Sequence, residues 1–186
     1  MSLNISFKKI EENQIPILSK LATDIVREHF DPIIGKAQND YMLEKYQSIS
    51  AISEQFKKGY LYFWVKYENN NAGFIGFYPI ENKLYLSKFY LEKEYRGKKI
   101  ARKMLEFIVN YCKEKKLKSI YLNVNRNNDL AINVYEHLGF VKIREEKNDI
   151  GDGYFMDDYV FEYININQFF LIKFHKFYFE SINLMI

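Results

Sequence analysis

Residues 83–116, KLYLSKFYLEKEYRGKKIARKMLEFIVNYCKEKK, decide the reading of this chain. The run from Leu84 to Leu91 is rich in aromatic and branched side chains and predicts a strand. Arg96-Gly97-Lys98-Lys99 then makes a short basic turn, and a helix opens near Ile100. Ile100, Met104, Phe107, Ile108 and Tyr111 recur at helical spacing and give that helix one apolar face. A strand that stops where a glycine-containing turn opens a helix leaves several backbone N–H groups unpaired and aimed outward. Those donors, the helix dipole and three basic side chains make a site for a phosphate or pyrophosphate. The turn carries neither the G-x-x-x-x-G-K-[ST] of a P-loop nor the G-x-G-x-x-G of a dinucleotide fold.

Working outward, a second stretch lies beyond the long helix: Asn128-Asp129-Leu130-Ala131-Ile132-Asn133-Val134-Tyr135-Glu136-His137-Leu138-Gly139-Phe140. It resembles the N-x-x-A-x-x-x-Y-x-x-x-G-F of the GNAT superfamily of N-acetyltransferases. The basic turn resembles the same family's acyl-CoA loop, [QR]-x-x-G-x-[GA]. It matches at Arg96 and Ala101 and departs at Lys99, where the family has glycine. The likeness in element order runs from about residue 5 to about residue 164. It implies an α/β fold with a mixed, splayed central sheet flanked by helices, as a single domain over residues 1–164.

The other elements agree with an α/β reading. Residues 5–9 alternate and predict a first strand. A helix follows from Pro16 and ends at Asp31-Pro32, since the residue before proline avoids helical geometry. Residues 39–46 predict a second helix, and Ser50 opens a short third one that Gly59 stops. Residues 60–67 are a near-continuous apolar run, which predicts a strand buried on both faces. Residues 72–79 return as its partner, and Pro79 ends the pairing. Further strands are predicted over 119–124, from 141 and over 154–163, with a helix over 129–138. Residues 165–186, NINQFFLIKFHKFYFESINLMI, form an aromatic-rich extension with helical spacing at Ile166, Phe170, Phe174, Phe177 and Tyr178. Such an apolar helix packs on its own domain or on a second copy as a homodimer; its polar face is poor for a membrane surface.

At 186 residues, one domain with a sizeable core is the default. An apolar content of 48% and an aromatic content of 18% exclude a disordered chain. The net charge of +3 does not call for nucleic acid, because the basic residues cluster in 98–118, where a phosphate-bearing ligand accounts for them. The single cysteine, Cys112, excludes an internal disulfide and a cysteine metal site, and is read as an inert core residue. No secretion signal or run long enough to cross a membrane is read, so a cytoplasmic enzyme is expected.

The resemblance implies acetyl-CoA as co-substrate, with no metal, and a small-molecule primary amine as acceptor. Backbone amides of Gly97, Lys98, Lys99, Ile100 and Ala101, beside Arg96, would hold the pyrophosphate. Phe89 would offer its amide to the thioester oxygen, and Tyr90 and Leu91 would line the pantetheine arm. Asn128 and Ala131 would contact the same arm, with Asn128 also capping its helix. Tyr135 would protonate the leaving thiolate. The base is not legible: Tyr85 stands where some family members have glutamate, and Glu81, Glu44, Asp157 or His29 are the alternatives. Asp152, Asp157 and Asp158, grouped before the last strand, would attract a cationic amine, and that stretch resembles polyamine-acetylating members. Protein N-termini or lysines are the next acceptors, and a non-catalytic acyl-CoA-binding module is the reading from another class.

Overall fold

The computed structural model describes residues 4–164 and residue 166. The elements run β1 (Ile5–Lys9), α1 (Ile15–Ile34), α2 (Lys36–Gln47), α3 (Ile49–Lys57), β2 (Leu61–Tyr67), β3 (Asn70–Ile80), β4 (Lys83–Leu91), α4 (Ile100–Glu114), β5 (Ser119–Asn125), α5 (Asp129–Leu138), β6 (Val141–Gly151) and β7 (Tyr154–Tyr163). Seven strands form one sheet in the order β1-β2-β3-β4-β5-β7-β6. Only β4 and β5 run parallel, joined by α4 as a crossover; every other neighbour pair is antiparallel. This is the mixed sheet flanked by helices that the sequence predicts. The aromatic extension, and the homodimer contact assigned to it, fall outside the described residues except for Ile166, which is buried in the main core.

Two apolar clusters cover the sheet. On one face Ile100, Met104, Leu105, Ile108, Val109 and Cys112 of α4 pack with Leu84, Leu86, Ile120, Leu122 and Phe161. The buried face of α4 is wider than the predicted stripe, and Phe107 and Tyr111 lie at its half-buried margin. On the other face Leu18, Ala22 and Ile25 of α1 and Ile52 of α3 pack with Tyr62, Trp64 and Phe74. Alternate residues of β2 serve the two clusters, which is why its sequence lacks a polar side.

Four sequence expectations are corrected. α1 does not end at Asp31-Pro32 but continues to Ile34, with Pro32 inside it. Proline there costs one hydrogen bond, to the carbonyl four residues back, in the last turn of a helix already held by its packed face. The stop is Gly35, at φ +83°, whose N–H bonds the Asp31 carbonyl at 3.1 Å. Second, α2 begins at Lys36 rather than 39, and Asn39 is buried, donating to the Asp31 carboxylate at 2.6 Å. Third, α3 is capped by Ser48, not Ser50: the Ser48 hydroxyl accepts from the Ala51 N–H at 3.2 Å. Fourth, Pro79 still pairs with Leu84 and β3 reaches Ile80. On its other edge β2 stops opposite Phe77, so no strand there lacks the missing donor.

Two features shape the space beside the sheet. β4 and β5 pair only at Lys83–Ser119, Leu84–Ile120 and Tyr85–Tyr121. Beyond them β4 runs on to Leu91 and β5 to Asn125 without pairing, so the sheet opens into a wedge. The second feature ties α2 to the β6–β7 hairpin. The Tyr41 hydroxyl and the Lys45 ammonium both donate to the Ile150 carbonyl, and the Gln38 amide donates to the Phe155 carbonyl at 2.7 Å.

Candidate active site

The wedge is built by β4. Between the pairs Phe77–Leu86 and Gly76–Lys88 one residue, Ser87, has no partner, so the strand bulges there. Past the bulge the ladder regains its alternation and ends with the Glu92 N–H on the Ala72 carbonyl at 3.0 Å. In an antiparallel ladder alternate residues point their backbone groups to the partner and away from it. Glu92, Tyr90 and Lys88 therefore face β3, while the amides of Phe89 and Leu91 turn toward the wedge. The Leu91 carbonyl on that side accepts from Arg96 Nε at 3.1 Å.

The loop after β4 leads to the N-terminus of α4. Gly97 lies at φ +75° and Lys99 at φ +61°, both left-handed. No side chain caps α4, and among the described residues no group accepts from the amides of Gly97, Lys98 or Lys99. The amides of Ile100 and Ala101 fall in the first turn, where a helix offers no acceptor. Five consecutive donors are thus left without an internal partner at the positive end of a 15-residue helix. The three basic side chains do not act alike. Arg96 folds back onto Leu91, and the Lys98 ammonium sits 5.4 Å and 5.3 Å from the ring centres of Tyr67 and Tyr95. The Lys99 side chain is exposed and makes no such contact among the described residues. Its backbone is not helical, so lysine sits where the family pattern has glycine for a conformational reason.

α5 supplies the other wall. Asn128 is buried; its side-chain oxygen accepts from the Ala131 N–H at 3.2 Å and lies 3.0 Å from His29 Nε2. His29 is thereby spent on joining α1 to the start of α5. Ala131 lies in the first turn of α5, partly buried against the main core. Tyr135 stands one helical turn further along, half-buried, with ring centres 6.0 Å from Phe89 and 5.6 Å from Phe140. Among the described residues no hydrogen bond to its hydroxyl forms. Burial pushes its ionisation above the ordinary phenol range, so it stays a proton donor at any physiological pH.

The acidic group does not sit together before the last strand. Asp152 lies in the hairpin turn, while Asp157 and Asp158 are inside β7. Asp157 pairs with Arg126, Nε to Oδ1, at 2.6 Å. Asp158 is only 7% exposed and has no ion pair among the described residues. Burial first, then the charges of Asp157 and Glu146, raise its carboxyl to about 6, against a bond from Asn123 that lowers it. Its own charge adds to burial in raising the phenols of Tyr85 and Tyr90, where burial is the larger cause. A carboxylate pair in mid-strand was the available sequence signal for Asp158.

Comparison with known proteins gives the family and the fold. The chain belongs to the acetyltransferase (GNAT) family, whose model matches residues 23–140. It is 35% identical over 83 residues to a probable spermine N(1)-acetyltransferase of Bacillus subtilis subsp. natto, covering 40% of this chain and 55% of that one. It is 34% identical, over the same extent, to a spermine/spermidine N(1)-acetyltransferase of Bacillus subtilis. The aligned stretch thus spans about half the length of these relatives. Among solved structures, the PaiA N-acetyltransferase of Thermoplasma acidophilum in complex with coenzyme A superposes with a TM-score of 0.71 at 22% identity, covering 87% of this chain and 98% of that one. The spermidine N-acetyltransferase of Vibrio cholerae in complex with CoA and spermine gives 0.65 at 19% identity, covering 86% and 95%. These structural likenesses bear on the fold.

Proposed function

We propose that the chain is an acetyl-CoA-dependent N-acetyltransferase whose acceptor is a small primary amine, with polyamines as the favoured class. One observation carries the reading: the outward amides of Phe89 and Leu91 open into the same wedge whose mouth is flanked by the five unpartnered amides of residues 97–101. That line of donors fits an extended ligand with amide groups along its arm and a pyrophosphate at its end. Acetyl-CoA supplies the thioester; the chain's groups hold and polarise it. Phe89 offers its amide to the carbonyl oxygen as negative charge develops there. Residues 97–101 anchor the pyrophosphate, and Asn128 and Ala131 border the arm. Tyr135 holds a proton for the departing sulfur, and burial keeps its phenol protonated until that thiolate forms.

The acceptor side favours a small cation. Asp158, opposite the end of β5, places an acidic group beside the wedge, and it attracts an ammonium group. The bonds from α2 to the β6–β7 hairpin hold two walls of that side together, which suits a slender amine better than a protein tail. The names of the two Bacillus relatives point to the same class. The test is CoA release measured over a panel containing spermidine, spermine, short monoamines and a lysine peptide. Turnover is expected with the polyamines ahead of the peptide. Stabilisation by acetyl-CoA with no turnover on any amine would leave a binding module and refute the enzyme reading.

A further inference from the structure

The family assignment leaves unexplained how the amine loses its proton, because Tyr85 occupies the strand position considered for a glutamate. Tyr85 does not fill that role: burial raises its phenol, so it is neutral at working pH. His29 is bound to Asn128, Asp157 to Arg126, and Glu81 lies in the β3–β4 turn. Glu44 is exposed on α2, in a groove it lines with α1 and the start of α3.

Asp158 has none of these commitments. It sits on β7 opposite Asn125, the last residue of β5, where β5 has already parted from β4. Alternation along paired strands puts Asp158 and Asn123 on the same sheet face. Tyr85 and Tyr90 of β4 are on that face too, packed with Tyr78, Tyr121 and Phe74. Tyr135 approaches from the opposite face, within the α4–α5 cluster. Beyond the effect of burial, Asp158 raises the Tyr90 phenol and Tyr90 raises that of Tyr135, so Tyr90 lies near both. The wedge is therefore flanked at one level by a phenol on one side and a nearly unexposed, unpaired carboxylate on the other.

We infer that Asp158 is the residue that receives the acceptor's ammonium group and takes its proton during transfer, with Tyr90 and Tyr85 framing the entry. The step balances. The bound ammonium first releases one proton to solvent; the neutral amine nitrogen then bonds to the thioester carbon as its second proton passes to Asp158, the C–S bond breaks and sulfur takes the Tyr135 proton. Solvent then carries the proton from Asp158 back to Tyr135. A carboxyl near 6 is ionised and ready at neutral pH while holding a proton better than an exposed aspartate does. The charged and titratable groups around it are Asp157 next to it on its own strand, Glu146 on β6, and Tyr85 and Tyr90 on β4; Asn123 of β5, which donates to Glu146 at 3.2 Å, shares its sheet face. This inference rests on the acetyl-transfer reading above.

The test compares the full chain with its Asp158→Asn variant, using spermidine from pH 5 to 9. At pH 8 the variant's kcat/KM is expected to fall about a hundredfold or more. The ratio of wild-type to variant kcat/KM cancels the ionisation of spermidine itself. That ratio is expected to drop toward one as pH falls through about 6. CoA still raises the melting temperature of the variant, while the extra rise given by spermidine on top of CoA disappears. Activity within threefold of wild type, a ratio flat with pH, or loss of the CoA-induced rise overturns the assignment. Should the variant not fold, carboxyl carbon-13 titration of the wild-type chain decides it. Movement of the Asp158 signal on adding spermidine supports the role, and indifference overturns it. Wild-type chain that binds CoA but acetylates nothing defeats the acetyl-transfer reading instead. The spermidine-dependent rise in melting temperature then still reports whether Asp158 holds the amine.

Discussion

Lys99 offers a test of the loop that needs no substrate. It caps α4 at φ +61° and ψ 12°, a left-handed conformation. For a residue with a Cβ this conformation costs about 1–2 kcal/mol. Lys99→Gly removes that cost but frees the unfolded chain, which offsets about 0.4–1 kcal/mol. The net is a stabilisation of about 0.5–1 kcal/mol, or roughly 1–4 °C in melting temperature for a chain of this size. Lys99→Ala is the control, because it deletes the same ammonium and keeps the Cβ. Its melting temperature should stay within about 1 °C of wild type, while the glycine variant rises above both. Denaturant melts with a constant slope confirm that the change lies in the folded state's stability. The sign is the decisive part, since glycine inside an ordinary helix is worse than alanine by roughly 1 kcal/mol. A glycine variant that melts at or below the alanine variant refutes the strain argument. CoA titration of the same pair adds a second reading: an equal loss of affinity in both reports the missing charge, and a gap between them reports the loop's backbone.

Other outcomes follow from the same geometry. Tyr135→Phe should lower kcat by about 10²–10⁴ while CoA still stabilises the protein, measured by steady-state CoA release and thermal shift. Asp158 has a folded-state carboxyl raised to about 6 from an ordinary 3.8, so its charge opposes folding once pH exceeds that window. Stability should therefore decline by about 2–3 kcal/mol as pH rises from 4 to above 6. Asp158→Asn should flatten that decline and melt higher at pH 8, read from melting curves across pH. Asn128→Ala removes the cap of α5 and the partner of His29, and should cost about 1 kcal/mol or somewhat more in chemical denaturation.

The parts of the fold legible in the sequence were those with a strong repeat. The α4 face and the β4 strand carry periodic apolar residues, the Asn128–Gly139 helix adds a cap at each end, and their positions agree to within a residue or two. Where local chemistry competes with packing, the pattern misleads. Pro32 reads as a stop, yet α1 keeps its helical turn because its packed face outweighs one lost bond. Ser50 reads as a cap, yet Ser48 is the residue with extended backbone. The wedge itself has no signature in a single strand, because it depends on where two strands cease to pair. In the sequence Asp158 reads with Asp152 and Asp157 as one acidic group; only the register of β7 separates a turn residue, an ion-paired carboxylate and a buried one.

The bonds between α2 and the β6–β7 hairpin have a consequence for how such a site can change. Tyr41, Lys45 and Gln38 grip main-chain oxygens of the hairpin, at Ile150 and Phe155, and the Tyr41 ring also packs on Tyr154. Apart from Tyr154 and from Gly151, where an added Cβ would meet the Tyr41 hydroxyl, a grip on main-chain oxygens is indifferent to which side chains the hairpin carries. Residues along this rim can be exchanged, altering the size and charge of the molecule admitted, while the frame that positions them stays fastened. A library confined to the hairpin's outward positions is thus a route to new acceptors that leaves the wedge between β4 and β5 untouched.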